Sequence, residues 1–409
     1  MRYSLSLQIS LSPNFQQELL LKKSIGCARF VYNESLRRKI AKHNTWKTLS
    51  EKKKADFDWS TGSVKQLKDE FEWLAKVPYK VLAHSLQNLR KAFKNFWKYS
   101  DYGYPQFKRK VRYTSIQFSQ HIKIQNQTVY LEKIGYIPFR CSQKLLQQYS
   151  SQGKIKSITI LQRADKWYGS ILFAVPAEVY YQQANSVVKA VALDLNANVR
   201  TPIVITATNG QEGTLASSRN VKERLTQLEL RRKRWQRKLA RQIEQQKKDN
   251  KVRKKKKQEV TKGLSKNAQK TQLKLQKCYE KESNVRKDYH KKLAHRLVST
   301  CENVVIEDLK LQKMTKANGN YKRSLNRNML QLAFGGLRIR LSQKAKRMRS
   351  SIIVVNPAYT SQSCSDCGYV SKLNRENQSK FICVECGFKL HADLNAARNI
   401  LAKGLKQIE

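Results

Sequence analysis

Four cysteines near the C-terminus have the spacing most suggestive of chemistry in this sequence. Cys364-Ser-Asp-Cys367 and Cys383-Val-Glu-Cys386 form two CxxC pairs separated by fifteen residues. Zinc takes four soft donors at tetrahedral angles, and each CxxC turn offers two thiolates on one side of the ion. The C-x2-C-x15-C-x2-C spacing matches a zinc ribbon. Gly368 and Gly387 each follow a second cysteine, where a tight turn calls for positive φ. A redox pair is the weaker reading, because both pairs occur together at ribbon spacing. Four thiolates leave no open position on the ion, so the expected zinc is structural and any catalysis lies elsewhere. Cys27, Cys141, Cys278 and Cys301 are scattered singly and read as small buried side chains.

Three carboxylates are the candidates for that chemistry. Asp194 closes the apolar run 188–195, Glu307 closes the run 303–309, and Asp393 lies seven residues after Cys386 at the start of a final helix. Strand C-terminal ends are where sites assemble in α/β sheets. Taken singly, Asp194 could cap a turn, Glu307 could pair with a lysine and Asp393 could be a helix N-terminal acid. Taken together, they could hold two Mg²⁺ ions about 3.5–4 Å apart across a phosphodiester. No Walker loop, HExxH or G-x-S-x-G elbow competes. The six histidines suggest no metal pair.

The elements that must position these residues follow from periodicity. Residues 1–12 alternate as a strand. Residues 15 to about 100 are helical, with an apolar stripe at Leu82, Leu86, Leu89, Phe93 and Phe96. Trp46, Trp59, Trp73 and Trp97 fall in this block and read chiefly as core, with base stacking the minority alternative. Residues 101–110 read as a turn and a basic strand. Short strands with turn punctuation continue to about residue 185 and suggest a small barrel that includes the first strand. Strands at 188–195 and 202–210 precede helix from Ser218 to Cys301. Its middle, Lys247 to Lys257, is basic enough to predict a mobile loop or hairpin tip that touches phosphate. A helix from about Leu325 to Arg349, a strand from Ser351 and a last helix from Ala392 to about Lys406 complete the chain. There is no fixed-period repeat.

Composition bounds the partner. Lys+Arg number 82 against Asp+Glu 30 over 409 residues, a formal net charge of +52. Such a field selects polyanions. The charge is spread along the chain rather than confined to one amphipathic face, which favours nucleic acid over membrane. No apolar run approaches the ~20 residues of a membrane span. The alternating N-terminus is not a signal-peptide core. The expected location is the prokaryotic cytoplasm or nucleoid, where thiols stay reduced and CxxC pairs favour metal.

Several phrases combine into a family pattern. They include Cys27-Ala-Arg-Phe-Val-Tyr-Asn33, Ala92-Phe-Lys-Asn-Phe96, Tyr104-Pro-Gln-Phe-Lys108 and Asn284-Val-Arg-Lys-Asp-Tyr-His-Lys291. More specific are Val304-Val-Ile-Glu-Asp-Leu309, Tyr359-Thr-Ser-Gln362 before Cys364, and Asp393-Leu-Asn-Ala-Ala-Arg-Asn-Ile400. With these the chain resembles, over nearly its whole length, the transposon-encoded TnpB proteins. Those are RNA-guided DNA endonucleases related to type V CRISPR effectors. The resemblance implies an α/β multidomain fold. A wedge-like β-barrel (1–14 and 103–187) would carry an inserted helical recognition domain (15–102). A RuvC-like nuclease domain of the ribonuclease H fold (188–409) would carry the basic helical segment 218–301 and the zinc ribbon 358–390.

By matching motif, Asp194, Glu307 and Asp393 are implied as catalytic, magnesium-binding acids, with two ions and with manganese able to substitute. Cys364, Cys367, Cys383 and Cys386 hold structural zinc. Tyr79, Lys80, Ser119 and Gln120 fall where the family reads a short DNA motif. The implied partners are a guide RNA from the transposon end, double-stranded target DNA and its displaced strand, with the protein a monomer in the complex. Base pairing would read the target and the protein would read the flanking motif. The family usually has glycine two residues after the first acid, and here Asn196 stands there. Two other classes stay open: an RNA-guided DNA-binding repressor without effective cleavage, and a zinc-ribbon nucleic-acid-binding accessory protein.

Overall fold

The computed structural model describes residues 2–50, 53, 58–110, 114–196, 203–215, 219–310, 314, 326, 328–330, 332–377 and 379–408. The chain divides into two compact units, Met1–Tyr180 and Tyr181–Glu409.

The first unit opens with β1 (Tyr3–Leu11), which buries Leu5, Leu7, Ile9 and Leu11 in strict alternation. Helix α1 (Phe15–Lys47) follows from a reciprocal cap between Asn14 and Gln17. Helices α2 (Val64–Glu70) and α3 (Tyr79–Lys98) complete the helical block. Strands β2 (Ser115–Phe118), β3 (Lys123–Gln125), β4 (Thr128–Leu131) and β5 (Gly135–Arg140) come next, followed by helix α4 (Gln143–Gln152). Strands β6 (Lys154–Arg163) and β7 (Lys166–Val175) close the unit. The sheet order is β2-β6-β7-β1-β5-β4-β3. Strand β1 is therefore central, antiparallel to β7 from Tyr3↔Val175 to Leu11↔Trp167. Among the described residues β2 and β3 stand at the two ends of the order.

Two sequence expectations change here. Residues 103–109 form no strand, because their backbone is held by a side chain instead: Asn33 accepts from Lys108 N at 2.7 Å and donates to Lys108 O at 3.0 Å. The four tryptophans of the helical block are not core. Trp73 and Trp97 are 44% and 68% exposed, and Trp46 and Trp59 are half-buried, 5.8 Å apart. Phe93 takes the core position on α3, and Trp97 stacks on its outer side at 5.4 Å.

The second unit is built on a five-stranded sheet. Its elements are β8 (Val188–Leu195), β9 (Ile203–Ala207), β10 (Glu212–Thr214), α5 (Arg219–Lys255), α6 (Lys266–Thr300) and β11 (Cys301–Glu307). Then come α7 (Phe334–Met348), β12 (Ser351–Val355), the short hairpin of β13 (Lys380–Ile382) and β14 (Lys389–His391), and α8 (Ala392–Leu405). The order is β10-β9-β8-β11-β12, with β8, β11 and β12 parallel and β9 and β10 antiparallel.

Helices cover both faces, which explains the continuous apolar runs. Val191, Leu193, Val304 and Ile306 pack with Leu293 and Leu297 of α6 and Leu337 and Leu341 of α7. Ala190, Ala192 and Val305 pack with Ile400 and Leu401 of α8. The small residues let α8 lie close. A Cβ at Gly404 would meet Val305 Cγ2 at 2.5 Å, so glycine is required there by contact rather than by turn geometry.

The Lys247–Lys257 segment is not a loop for most of its length: α5 continues through Lys255. Lysine and glutamine are good helix formers, and cations in the last turn suit the helix C-terminus. Asn250 and Gln246 tie down the following turn through Thr261, Gly263 and Ser265. The expected helix from Leu325 is described from Phe334, with part of the preceding stretch outside the described residues. Among the described residues no helix is long and apolar enough to cross a membrane.

Candidate active site and cysteine knuckle

The four ribbon cysteines converge. Among the described residues they are the one group of three or more candidate ligands whose atoms all lie within 4.8 Å of one another. Cys364 Sγ is 3.8 Å from Cys386 Sγ, and Cys367 Sγ is 3.6 Å from Cys383 Sγ. A tetrahedron of thiolates at the Zn–S distance has edges of about 3.8 Å, so the donor set fits zinc. Both turns are built alike. Gly368 N donates to Cys364 O at 3.1 Å and Gly387 N to Cys383 O at 3.0 Å, with φ of +80° and +71°. Buried Asn374 joins them, donating to Gln362 O and Tyr369 O and accepting from Val384 N.

The acids are brought together by the sheet and one helix. Leu193 and Ile306 are registered partners on parallel β8 and β11. The next residues, Asp194 and Glu307, therefore fall side by side on neighbouring strands, about 4.8 Å apart. By strand alternation both belong to the face that α8 covers. Asp393 lies in the first turn of α8, but His391 is the capping residue: its Nδ1 accepts from Asp393 N at 3.3 Å. The Asp393 carboxylate is thus left for other partners.

Asp194 and Asp393 are buried and Glu307 is half-buried. Burial raises the Asp194 carboxyl to about 7, with the negative charges of Glu307 and Asp393 adding to it; the Asn196 amide and Arg375 oppose. Burial also raises Glu307, against the Thr360 hydrogen bond and Lys403, and raises Asp393, against His391 and Arg375. Three buried or half-buried acids, two of which oppose the ionisation of Asp194, are a place where a cation is stabilised. Magnesium holds oxygens at 2.0–2.1 Å, so ligands of one ion lie within about 4.2 Å. The three carboxylates are not gathered that tightly.

Several residues missed in the sequence connect ribbon and acids. Thr360 donates to Glu307 Oε1 at 2.6 Å. Buried Asn395, two residues beyond Asp393, accepts from Ser365 N at 2.9 Å and donates to Ser363 O at 2.8 Å. Asn399 donates to Thr360 O and Ser363 O. Arg375, next to the Asn374 that joins the knuckles, reaches Asp393 Oδ1 at 3.5 Å. Thr360, Asn395 and Asn399 lie inside the motif phrases quoted above, which was their signal. Arg375 had none.

In the first unit, Tyr79 and Lys80 begin α3, and Tyr79 is 49% exposed. Ser119 lies one residue past β2, and its Oγ is 2.9 Å from Nε2 of His84, one turn after Lys80. Gln120 beside it is exposed. The structure thus brings Ser119 to α3 through His84, a residue the sequence did not single out. Burial lowers the His84 pKa, helped by Lys80.

Three family models match the chain. Residues 334–400 match "Cas12f1-like, TNB domain", 243–318 match "Probable transposase" of the IS605 OrfB type, and 1–47 match the helix-turn-helix domain of that type. Residues 1–47 here hold one strand and one long helix. The InsQ protein of Escherichia coli, provisionally described as an RNA-guided DNA endonuclease, is 29% identical over 97% of this chain and 91% of its own. A CRISPR-associated endodeoxyribonuclease Cas12f1 from Sulfoacidibacillus thermotolerans is 40% identical over 18% of this chain and 17% of its own. Among solved structures, the Cas12f1 chain of a complex with single-guide RNA and target DNA aligns over 98% of both chains. Its TM-score is 0.54 at 13% identity, a likeness of fold.

Proposed function

We propose, on the premise that this chain belongs to the TnpB family of IS605-type transposon proteins, that it is an RNA-guided, magnesium-dependent DNA endonuclease. It cuts target DNA matched to a guide RNA from the transposon end, next to a short flanking motif. The observation that carries this reading is the meeting of Asp194, Glu307 and Asp393 at one end of the second unit's sheet. Three antiparallel strands followed by two parallel ones, in the order β10-β9-β8-β11-β12, support a ribonuclease H-like reading of the RuvC type. On this reading the first unit would be most of the wedge (1–14 and 103–187) with its helical recognition insertion (15–102), and 188–409 the nuclease domain, with residues 181–187 falling in the second unit.

Asp194, Glu307 and Asp393 would hold magnesium, and manganese would fit the same oxygens. The ion would supply Lewis-acid polarisation of the phosphate and neutralise its charge. The protein's own residues set up the site. Thr360 fixes one oxygen of Glu307, Asn196 fixes one oxygen of Asp194 at 3.1 Å, and the ribbon brings Arg375 beside Asp393. Zinc held by the four cysteines is structural, since every position is thiolate. Tyr79, Lys80, Ser119 and Gln120 are the candidate readers of the flanking motif. The complex holds one protein, the guide RNA, duplex target and displaced strand. Asp194→Ala should abolish cutting while guide and target binding persist; equal cutting by the variant would refute the assignment.

A second reading, an RNA-guided repressor, draws on Asn196. Its amide occupies one oxygen of Asp194 where the family usually has glycine. Target binding without cutting at any magnesium or manganese concentration would favour it.

A further inference from the structure

We propose that the cleft between α5 and α6 is a subsite for an unpaired stretch of the DNA strand being cut, with one base stacked on Trp235. The inference rests on the nuclease reading above. The cleft holds about 370 Å³, within the range of small-ligand sites, roughly 300–1,000 Å³. Leu228 and Cys278 are its buried floor and Trp235 lines its side. The remaining lining is cationic, chiefly Arg231, Arg234 and Lys274, with no acid among the lining residues. The acids nearby on the hairpin serve other partners: Glu229 pairs with Lys233, and Glu282 with Arg232 and Arg286. An apolar slot with an aromatic wall and a cationic rim fits a base and its phosphates.

Placement gives the occupant. The C-terminal end of α6 is fixed at the start of β8, where Val187 N donates to Thr300 O at 3.0 Å. Eleven residues earlier, Tyr289 Oη donates to Leu215 O at 3.3 Å. Leu215 follows Thr214, which is registered with Val204, which is registered with Asp194. Along the strand direction Tyr289 therefore stands level with the acids, on the opposite face of the sheet, and the helix continues past the edge where they lie. Residues 281 to 274 lie about 12–22 Å beyond that level at 1.5 Å per residue. This is roughly four to six nucleotides at the 3.4 Å spacing of a stacked strand. With the step around the sheet edge added to this axial offset, a short unpaired stretch of the strand engaged at the acids would span from them to the cleft. Lys274 Nζ now lies 4.8 Å from the Trp235 ring centroid. That exposed cation–π contact is weaker than base stacking, so Lys274 gives way to the base and turns to a phosphate.

The test uses the full complex with its guide RNA, made with Asp194→Ala so that the strand stays intact. Target DNA carries 5-bromodeoxyuridine at successive positions beside the cut site, and ultraviolet cross-links are mapped by mass spectrometry. A cross-link to Trp235 confined to a few neighbouring DNA positions is expected. In the active protein, Trp235→Ala should slow cutting about tenfold, Trp235→Phe should recover most of it, and exposed Lys274→Gln should slow it less, with guide binding unchanged in all three. Cross-linking of Trp235 to a bromouridine-labelled guide but to no DNA position would overturn the proposal. So would no cross-link with Trp235→Ala cutting normally. If the unmodified protein does not cut, the nuclease reading fails, and the cross-link still reports what the cleft holds.

Discussion

The cysteine knuckle and the acid site lie side by side in one unit and are built on opposite principles. The knuckle is local: its four ligands come from residues 364–386, and two repeated turns set the sulfurs at tetrahedral spacing. The acid site is assembled from residues 194, 307 and 393, on two strands and a helix, and Glu307 and Asp393 oppose the charge of Asp194. A locally encoded site draws all its ligands from one short segment, and its folding is coupled to the ion. A site gathered from distant elements is stabilised by the packing around it and made unfavourable by its own charges. The ribbon is the physical bridge between them, through Thr360, Arg375 and Asn395.

Removing an acid should break the comparison most severely. Asp194→Ala should lower the cutting rate by about three orders of magnitude or more, since metal-based charge stabilisation is worth several kcal/mol. Gel-resolved cleavage against target binding separates the two effects. Next in size, Cys383→Ser or zinc chelation should melt the ribbon, because metal-binding energy is folding energy in such knuckles. Zinc content, thermal unfolding and cutting should fall together, and full cutting after zinc is stripped would show that the two sites are independent.

A third test is electrostatic. The folded pKa of Asp194 is about 7 against an ordinary 3.8. The folded state thus favours the protonated acid. Its contribution to stability is full below pH ~4 and is lost as pH rises through 7, by a few kcal/mol at most. Without magnesium, Tm should fall across this window. With magnesium it should hold or rise, because the ion takes the ionised acids. An identical Tm slope with and without the ion would remove the acids as its site. The smallest effect sharpens the bridge itself. Thr360→Val removes one hydrogen bond to a charged group, about 1.5–3 kcal/mol. It should slow cutting roughly tenfold to a hundredfold while leaving zinc content unchanged.

These contrasts also explain what could be read from the sequence. The cysteines were legible because their spacing is itself the geometry. Asp194 and Glu307 were legible because each ends an apolar run buried on both faces. Arg375 was not, since its contact with Asp393 depends on how the ribbon folds over the end of α8. The Lys247–Lys257 stretch lies at the α5–α6 hairpin tip, and helix propensity with the Asn250 and Gln246 contacts keeps most of it helical rather than loop. The tryptophans misled because size suggested core, and smaller Phe93 and Leu89 fill that space instead.

One position without a side chain governs the reach of the helix that carries Asp393. Gly404 touches Val305 so closely that a methyl group there would collide at 2.5 Å. Asp393 sits eleven residues away on the same helix, about 16 Å along its axis. Any bulk at 404 would lift the far end of α8 from β11 and tilt the helix like a seesaw. The alignment of the third acid is therefore gauged by a single missing carbon, three helical turns from Asp393.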